Sequence, residues 1–174
     1  MSLPENTLRR YLTPNFIETG TCEGDSVNLA LKCGFENIYS IEIDPNLYDF
    51  CKKRFDGKSN VHLYLGDSLI ALPEILKDIK SPSTFWLDAH MNDVSTYVGK
   101  FRCPILSEID MIFSHNINHT LLIDDRRLFV GNGIGHWGNV KESEIISSIQ
   151  KHGSSISISY EDGVVPNDII VAKL

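Results

Sequence analysis

The sequence predicts an α/β fold built on a mostly parallel β-sheet. Short runs rich in β-branched and aromatic residues alternate with longer stretches of helical periodicity along most of the chain. Successive parallel strands need such crossover helices between them. The chain ends differently, in two strand-like runs joined by turn residues, which is typical of an antiparallel hairpin.

Five strands are predicted before the hairpin, and each ends in or beside an acidic or small polar residue. Because the carboxyl ends of parallel strands meet at one edge of a sheet, this edge is expected to carry the polar chemistry. The five strands span residues 15–19, 37–43, 61–65, 84–88 and 120–124, and the hairpin strands span 155–160 and 168–173.

Helix-capping residues agree with the periodicity between these strands. The first predicted helix ends at Gly34, a residue suited to the left-handed conformation after a helix. The second begins at Pro45, with Asp44 as its N-cap. Pro73 is expected to kink the third. The predicted helices span 25–33, 68–79, 104–113 and 141–151, together with the one that begins at Pro45.

Length and composition indicate one globular domain spanning residues 1–174. The chain is 42% apolar and 22% charged, which is ordinary globular usage. Its net charge of −7 disfavours nucleic acid and anionic membranes as partners. No apolar run approaches the roughly 20 residues of a membrane span, and a signal-peptide pattern is absent, so we expect a cytoplasmic protein. Four scattered cysteines without a C-x-x-C pair predict reduced, mostly buried thiols.

A glycine-containing loop follows the first strand and opens the first helix, with the pattern Glu18-x-Gly20-x-x-x-Gly24. Glycine lets the backbone approach a ligand closely, and a helix start offers N–H donors. Glu18, Gly20, Thr21 and Gly24 are therefore candidate ligand-binding residues. The alternative is a tight turn selected for packing alone.

Two further strand ends favour a nucleoside ligand. Glu42 lies 18 residues after Gly24 at the end of the second strand, where a carboxylate can accept hydrogen bonds from ribose hydroxyls. Asp67 and Ser68 end the third strand, where an acceptor suits the exocyclic amine of adenine. Their alternative role is that of an ordinary helix N-cap.

Over nearly its whole length the chain resembles the class I S-adenosylmethionine-dependent methyltransferases. The resemblance rests on the loop pattern, Glu42, Gly66-Asp67-Ser68, Trp86-Leu87-Asp88-Ala89-His90 and the terminal hairpin. It implies a Rossmann-like, seven-stranded sheet with helices on both faces and an antiparallel seventh strand. It also implies that S-adenosyl-L-methionine binds with its methionine part at loop 18–24, its ribose at Glu42 and its adenine near Asp67. Cys22 replaces the middle glycine that is usual in the family.

Acidic residues also end the fourth and fifth strands, at Asp88, Asp124 and Asp125. Neighbouring parallel strands would bring these carboxylates together, where they repel one another unless a cation lies among them. Oxygen ligands of this kind suit Mg²⁺ or Mn²⁺. The arrangement is similar to that of the cation-dependent O-methyltransferases of the catechol, caffeoyl-CoA and macrocin types, which implies these three residues as metal ligands. The alternative role for the Asp124–Asp125 pair is helix or turn capping.

Catalysis by that route needs an acceptor oxygen made anionic and held behind the methyl group. A divalent ion chelated by a diol of a sugar or phenol would orient the acceptor and lower its hydroxyl pKa. Asp88 and His90 are the catalytic candidates, with His90 as general base, since histidine titrates near neutrality. A structural hydrogen bond is the other interpretation of His90. Arg126 and Arg127 either pair with the neighbouring acids or bind an anionic acceptor.

The acceptor itself is less well defined by the sequence. The Gly-Gly that usually precedes the fifth strand in the cation-dependent subgroup is replaced by Ile117-Asn118-His119, and the 14 residues before the first strand are too few for its N-terminal helical cover. Tyr97, His136 and Trp137 are candidate contacts on loops 91–102 and 130–139. The short chain is also compatible with a pocket that a second copy completes in a homodimer, or with a large, exposed acceptor.

Two other functions fit the same pattern of residues. One is a non-catalytic Rossmann-like module that binds a nucleoside or a protein. The other is an enzyme that processes nucleotides or sugars and uses the same acids on a metal-bound phosphate. Fold analogy alone does not decide among the three functions.

Overall fold

The computed structural model describes residues 2–89, 99–130 and 140–173. Within these ranges, strands and crossover helices alternate as far as the fifth strand. The strands are β1 (Asn15–Thr19), β2 (Asn37–Glu42), β3 (Val61–Leu65), β4 (Ser83–Leu87), β5 (Thr120–Ile123), β6 (Ser157–Glu161) and β7 (Ile169–Lys173). The helices are α1 (Glu5–Arg10), α2 (Asp25–Cys33), α3 (Pro45–Arg54), α4 (Ser68–Asp78), α5 (Ile105–Phe113), α6 (Arg126–Phe129) and α7 (Glu142–Gln150).

The seven strands form a single sheet in the order β3-β2-β1-β4-β5-β7-β6. The first five strands of that order are parallel, whereas β7 runs antiparallel to both β5 and β6. The prediction of a mostly parallel, seven-stranded sheet with a C-terminal antiparallel hairpin is therefore confirmed. Observed strand bounds differ from the predicted ones by at most two residues.

Helices cover both faces of the sheet, as predicted. Alternate residues of β1 show this division, since Phe16 packs with the core beneath α1, α2 and α3, and Ile17 packs with the core beneath α4, α5 and α7. Trp86 and Phe85 of β4 divide in the same way. A sheet buried on both faces is characteristic of parallel strands with crossover helices.

Two short helices, α1 and α6, were not predicted. Helix α1 has only six residues and no side-chain N-cap, and its Leu8 is fully buried in the core. Such a short helix is stabilised by packing and leaves little periodicity in the sequence. Helix α4 runs through Pro73 without ending there. No helix in the described ranges is long and apolar enough to span a bilayer.

Candidate functional site

The carboxyl ends of the parallel strands lie level with one another. Thr19 at the end of β1 is in register with Ile41 of β2 and with Leu87 of β4, and Leu87 is in register with Ile123 of β5. The predicted polar residues follow directly after these positions. One edge of the sheet therefore carries the glycine-containing loop, Glu42 and the acids that follow β4 and β5.

Glu42 ties the β1–α2 loop to the second strand. Its Oε2 accepts a hydrogen bond from Cys22 N at 2.7 Å, and its Oε1 accepts one from Asp44 N at 2.8 Å. Burial raises the pKa of Glu42, although these N–H donors favour the charged form. A carboxylate oxygen has two lone pairs, so each oxygen retains capacity for a ligand hydroxyl.

Two glycines of this loop allow it to pack closely against other parts of the protein. Gly20 and Gly24 have positive φ values of 90° and 81°. A Cβ atom at Gly20 would lie 2.5 Å from Asp88 O, and one at Gly24 would lie 2.6 Å from the Phe55 ring. The packing role that was the alternative for these glycines is thus present. Cys22 also has a positive φ, of 50°, which is why glycine suits this position in the family pattern.

Glu18 lies beneath the loop and is fully buried. Its Oε1 accepts a hydrogen bond from Ser40 Oγ at 2.6 Å, and Ser40 Oγ is also hydrogen-bonded to Thr21 Oγ1. Its Oε2 has no hydrogen-bond partner within the described ranges. Burial raises the pKa of Glu18 to about 8, against the nearby hydroxyl groups of Ser26 and Ser40, which favour the carboxylate.

A cavity of about 210 Å³ opens beside the loop. Its walls come from the loop, the first turn of α2, Trp86, Asp88 and the N-terminal residues Ser2 and Leu3. Gly20, Thr21 and Asp88 of the predicted site line this cavity. The loop backbone and Asp88 therefore face the same space.

Asp67 caps α4. Its Oδ1 accepts a hydrogen bond from Leu69 N at 2.9 Å, and its Oδ2 accepts one from Lys100 N at 2.7 Å. The neighbouring Ser68 is buried. The N-cap role weighed for Asp67 is thus observed, and contact of Asp67 and Ser68 with adenine stays a prediction.

Asp88, Asp124 and Asp125 come together at the ends of β4 and β5, as predicted. Each offers a carboxylate oxygen, and these atoms all lie within 4.8 Å of one another. Burial, reinforced by the neighbouring carboxyl groups, raises the pKa of Asp88 and that of Asp124 to about 8. The left-handed backbone of Asp125, with φ of 59°, turns the chain sharply at this point. We call these three residues the acid cluster.

The donor set of the acid cluster fits a hard divalent cation. Three carboxyl groups supply only oxygen ligands, and burial together with the neighbouring acids disfavours the ionised forms of Asp88 and Asp124. Mg²⁺ and Mn²⁺ prefer such ligands and would relieve the repulsion. Ser2 Oγ also donates a hydrogen bond to Asp124 Oδ2.

Both arginines after the acid cluster pair with carboxylates. Arg126 Nε lies 2.6 Å from Glu142 Oε1. Arg127 Nη1 lies 2.5 Å from Asp125 Oδ1 and also contacts Asp168 Oδ2. Arg127 therefore pairs with Asp125, one of the neighbouring acids considered for it, whereas Arg126 pairs with Glu142, which was not considered.

Glu108 was not predicted as part of this edge. It lies on α5, is 1% exposed, and its Oε1 has no hydrogen-bond partner in the described ranges. Burial raises the pKa of Glu108 to about 7, against the hydroxyl groups of Ser68 and Thr19. An acid within the buried Ile105, Ile109 and Ile112 stripe of α5 was the available sequence signal.

Four predicted residues lie outside the described residues. They are the catalytic candidate His90 and the acceptor contacts Tyr97, His136 and Trp137. Their roles stay predictions. All four cysteines are free, as expected; Cys33, Cys51 and Cys103 are buried, and Cys22 is exposed.

No protein-family model matches the chain. The curated proteins contain no match either.

Comparison by structure gives matches over nearly the whole chain. An O-methyltransferase from Bacillus cereus in complex with S-adenosylhomocysteine superposes with a TM-score of 0.64 at 12% identity, covering 98% of this chain and 78% of the other. The tomaymycin-synthesis O-methyltransferase of Streptomyces achromogenes, in complex with S-adenosylmethionine, gives 0.63 at 12% identity, covering 98% and 76%.

A third match is close to this chain in length. A Streptococcus mutans protein solved as a methyltransferase in complex with S-adenosylhomocysteine gives a TM-score of 0.62 at 15% identity, covering 98% of this chain and 95% of the other. Structural matches at sequence identities this low establish a shared fold only. The chain therefore has the class I fold of the S-adenosylmethionine-dependent methyltransferases.

Proposed function

We propose that the protein transfers a methyl group from S-adenosylmethionine to an oxygen of a small-molecule acceptor, a sugar or phenolic diol, with the help of a divalent metal ion. The position of Asp88 carries this proposal. Asp88 lines the cavity beside the glycine-containing loop and also belongs to the acid cluster. A cofactor in the cavity and a cation in the acid cluster would therefore be neighbours.

The loop and the adjoining strand ends are the proposed cofactor site. S-adenosylmethionine would supply an electrophilic methyl group on its sulfonium sulfur. Residues 18–24 would hold its methionine part, Glu42 would accept hydrogen bonds from the ribose, and Asp67 with Ser68 would contact the base. Glu42 suits this role because both its oxygens are already oriented by backbone N–H groups.

The acid cluster is the proposed acceptor site. A divalent cation held by Asp88, Asp124 and Asp125 would supply Lewis acidity and lower the pKa of an acceptor hydroxyl. In-line transfer requires that hydroxyl to lie next to the cavity wall. Asp88 lies in that wall, where it can contact the hydroxyl. Asp88 and His90 are the residues proposed to receive the acceptor proton.

Binding of S-adenosylhomocysteine tests the cofactor assignment. We expect calorimetric titration of the purified protein to give micromolar affinity, and Glu42→Ala to weaken it at least about tenfold, because the variant loses the ribose acceptor and the tether to Cys22. Asp44→Ala is the matched control, since Asp44 caps α3 through Asn46 N.

The other two functions predict different titrations. Absence of S-adenosylhomocysteine binding at millimolar concentration would favour the non-catalytic module. Tighter binding of a nucleoside diphosphate than of S-adenosylhomocysteine would favour the nucleotide- or sugar-processing enzyme.

Binding of Mn²⁺ tests the metal assignment without an acceptor. We expect the wild type to deplete the electron paramagnetic resonance signal of free Mn²⁺, and Asp124→Asn to weaken this binding about a hundredfold because it removes a buried ligand charge. Asp110→Asn removes a surface carboxylate that pairs with Lys151 and His152, away from the acid cluster; it is the control and should match the wild type. Equal Mn²⁺ binding by Asp124→Asn and the wild type would remove the acid cluster from the mechanism.

A further inference from the structure

Arg127 joins the acid cluster to an acid outside it. It lies two residues after Asp125 on α6, and its side chain is 33% exposed. One guanidinium nitrogen, Nη1, contacts both Asp125 Oδ1 and Asp168 Oδ2. A fixed positive charge therefore already lies against one of the three carboxylates that would hold a metal ion.

Asp168 is held rigidly by backbone groups. Its side chain is fully buried. Oδ1 accepts a hydrogen bond from Arg127 N at 3.1 Å, Oδ2 accepts one from Val164 N at 3.2 Å, and the Asp168 carbonyl accepts one from Arg126 N at 2.7 Å. The helix and the hairpin turn thus fix this carboxylate, whereas the Arg127 side chain is partly exposed to solvent.

We propose that Arg127 is an internal counter-ion of the acid cluster, which a divalent cation displaces from Asp125, and that Asp168 is the positioning residue that keeps the displaced guanidinium paired. The inference rests on the proposed metal site and adds an interaction that tunes the affinity of this site for a divalent cation. In the cation-free protein, Arg127 offsets part of the repulsion among the three acids.

The electrostatics of the exchange favour this arrangement. A dication among the acid cluster repels a guanidinium at Asp125 and competes with it for the same carboxylate. Displacement would be costly if the guanidinium were left half-buried and unpaired. Asp168 removes that cost because it contacts the same nitrogen and does not belong to the acid cluster.

The neighbouring Arg126 provides a matched comparison. Its guanidinium pairs with Glu142 and lies over the Tyr160 ring, 4.4 Å from the ring centroid. It has the same charge and precedes Arg127 on the same helix, but its acidic partner does not belong to the acid cluster. Loss of Arg126 should therefore change the general electrostatic field and the packing of α6 without altering the competition for Asp125.

The test is the affinity of the folded protein for Mn²⁺, measured by electron paramagnetic resonance. Arg127→Gln is expected to bind Mn²⁺ about tenfold more tightly, because the competitor is gone. Arg127→Lys should stay near the wild type, since it keeps the charge. Asp168→Asn should bind about tenfold more weakly, because the guanidinium loses its second anion and remains on Asp125. Arg126→Gln should stay within about twofold of the wild type.

The opposite changes in Mn²⁺ affinity expected for Arg127→Gln and Asp168→Asn distinguish a counter-ion from a structural residue. If Arg127 has only a structural role, Arg127→Gln will lower the melting temperature and leave the affinity for Mn²⁺ unchanged or weaker. That result would overturn the inference. If Asp168→Asn does not fold, the Arg127→Gln and Arg127→Lys pair still decides. If the wild type binds no Mn²⁺, the metal site and this inference both fail, whereas titration with S-adenosylhomocysteine still decides the cofactor assignment.

Discussion

Replacing Gly20 with alanine is expected to destabilise the folded protein by about 3 kcal/mol. A left-handed backbone costs a non-glycine residue roughly 1 kcal/mol or more, and Gly20 has φ of 90°. The added methyl group would also lie 2.5 Å from Asp88 O, so the loop or the end of β4 must shift, at a further cost of about 2 kcal/mol. Urea denaturation of the two proteins measures the difference.

Gly57→Ala is the matched control for Gly20→Ala. Gly57 has a comparable φ of 75°, but a Cβ atom there would meet nothing within 4 Å. Its replacement should cost about 1 kcal/mol, which is the backbone contribution alone. Equal destabilisation by the two variants would show that the close approach of the loop to Asp88 carries no energetic weight.

The sheet could be predicted from the sequence because several local signals agree. Runs of β-branched residues mark the strands, Gly34 and Pro45 mark helix ends, and the crossover pattern specifies parallel pairing. The short helices α1 and α6 give no comparable signal. Helix α6 follows the left-handed turn at Asp125 and is held by Asp168, the residue that precedes β7.

The acid cluster was predictable for a geometric reason. Asp88 and Asp124 each follow a strand, and in-register parallel strands place their ends side by side. Pairings that depend on tertiary packing were not predictable. Arg127 reaches Asp168 across 41 positions, and Gly24 avoids the ring of Phe55, a residue that follows α3. Patterns read along the chain identify strand ends, but they do not identify what packs between the connecting loops.

Stability is expected to fall as pH rises, in part because of Glu18. The pKa of this fully buried carboxyl is about 8 in the folded protein, against 4.5 ordinarily. Between these values the folded state retains a proton that the unfolded state has lost. Each such proton lowers the unfolding free energy by about 1.4 kcal/mol per pH unit, or about 4 kcal/mol from pH 5 to pH 8. The contribution of protonated Glu18 to stability is therefore fully present below about pH 4.5 and fully lost above about pH 8.

Glu18→Gln isolates this contribution from the other buried acids. Asp88, Asp124 and Glu108 have raised pKa values and act in the same direction, so the quantity to compare is the difference between variant and wild type. Glutamine does not titrate, and the advantage of Glu18→Gln should grow by up to about 4 kcal/mol between pH 5 and pH 8 in urea denaturation. Glu36→Gln, the same substitution at an exposed position, is the control for loss of a surface carboxyl group. A pH-independent difference for Glu18→Gln would mean that Glu18 is ionised in the folded protein, and that Ser26 and Ser40 outweigh the cost of its burial.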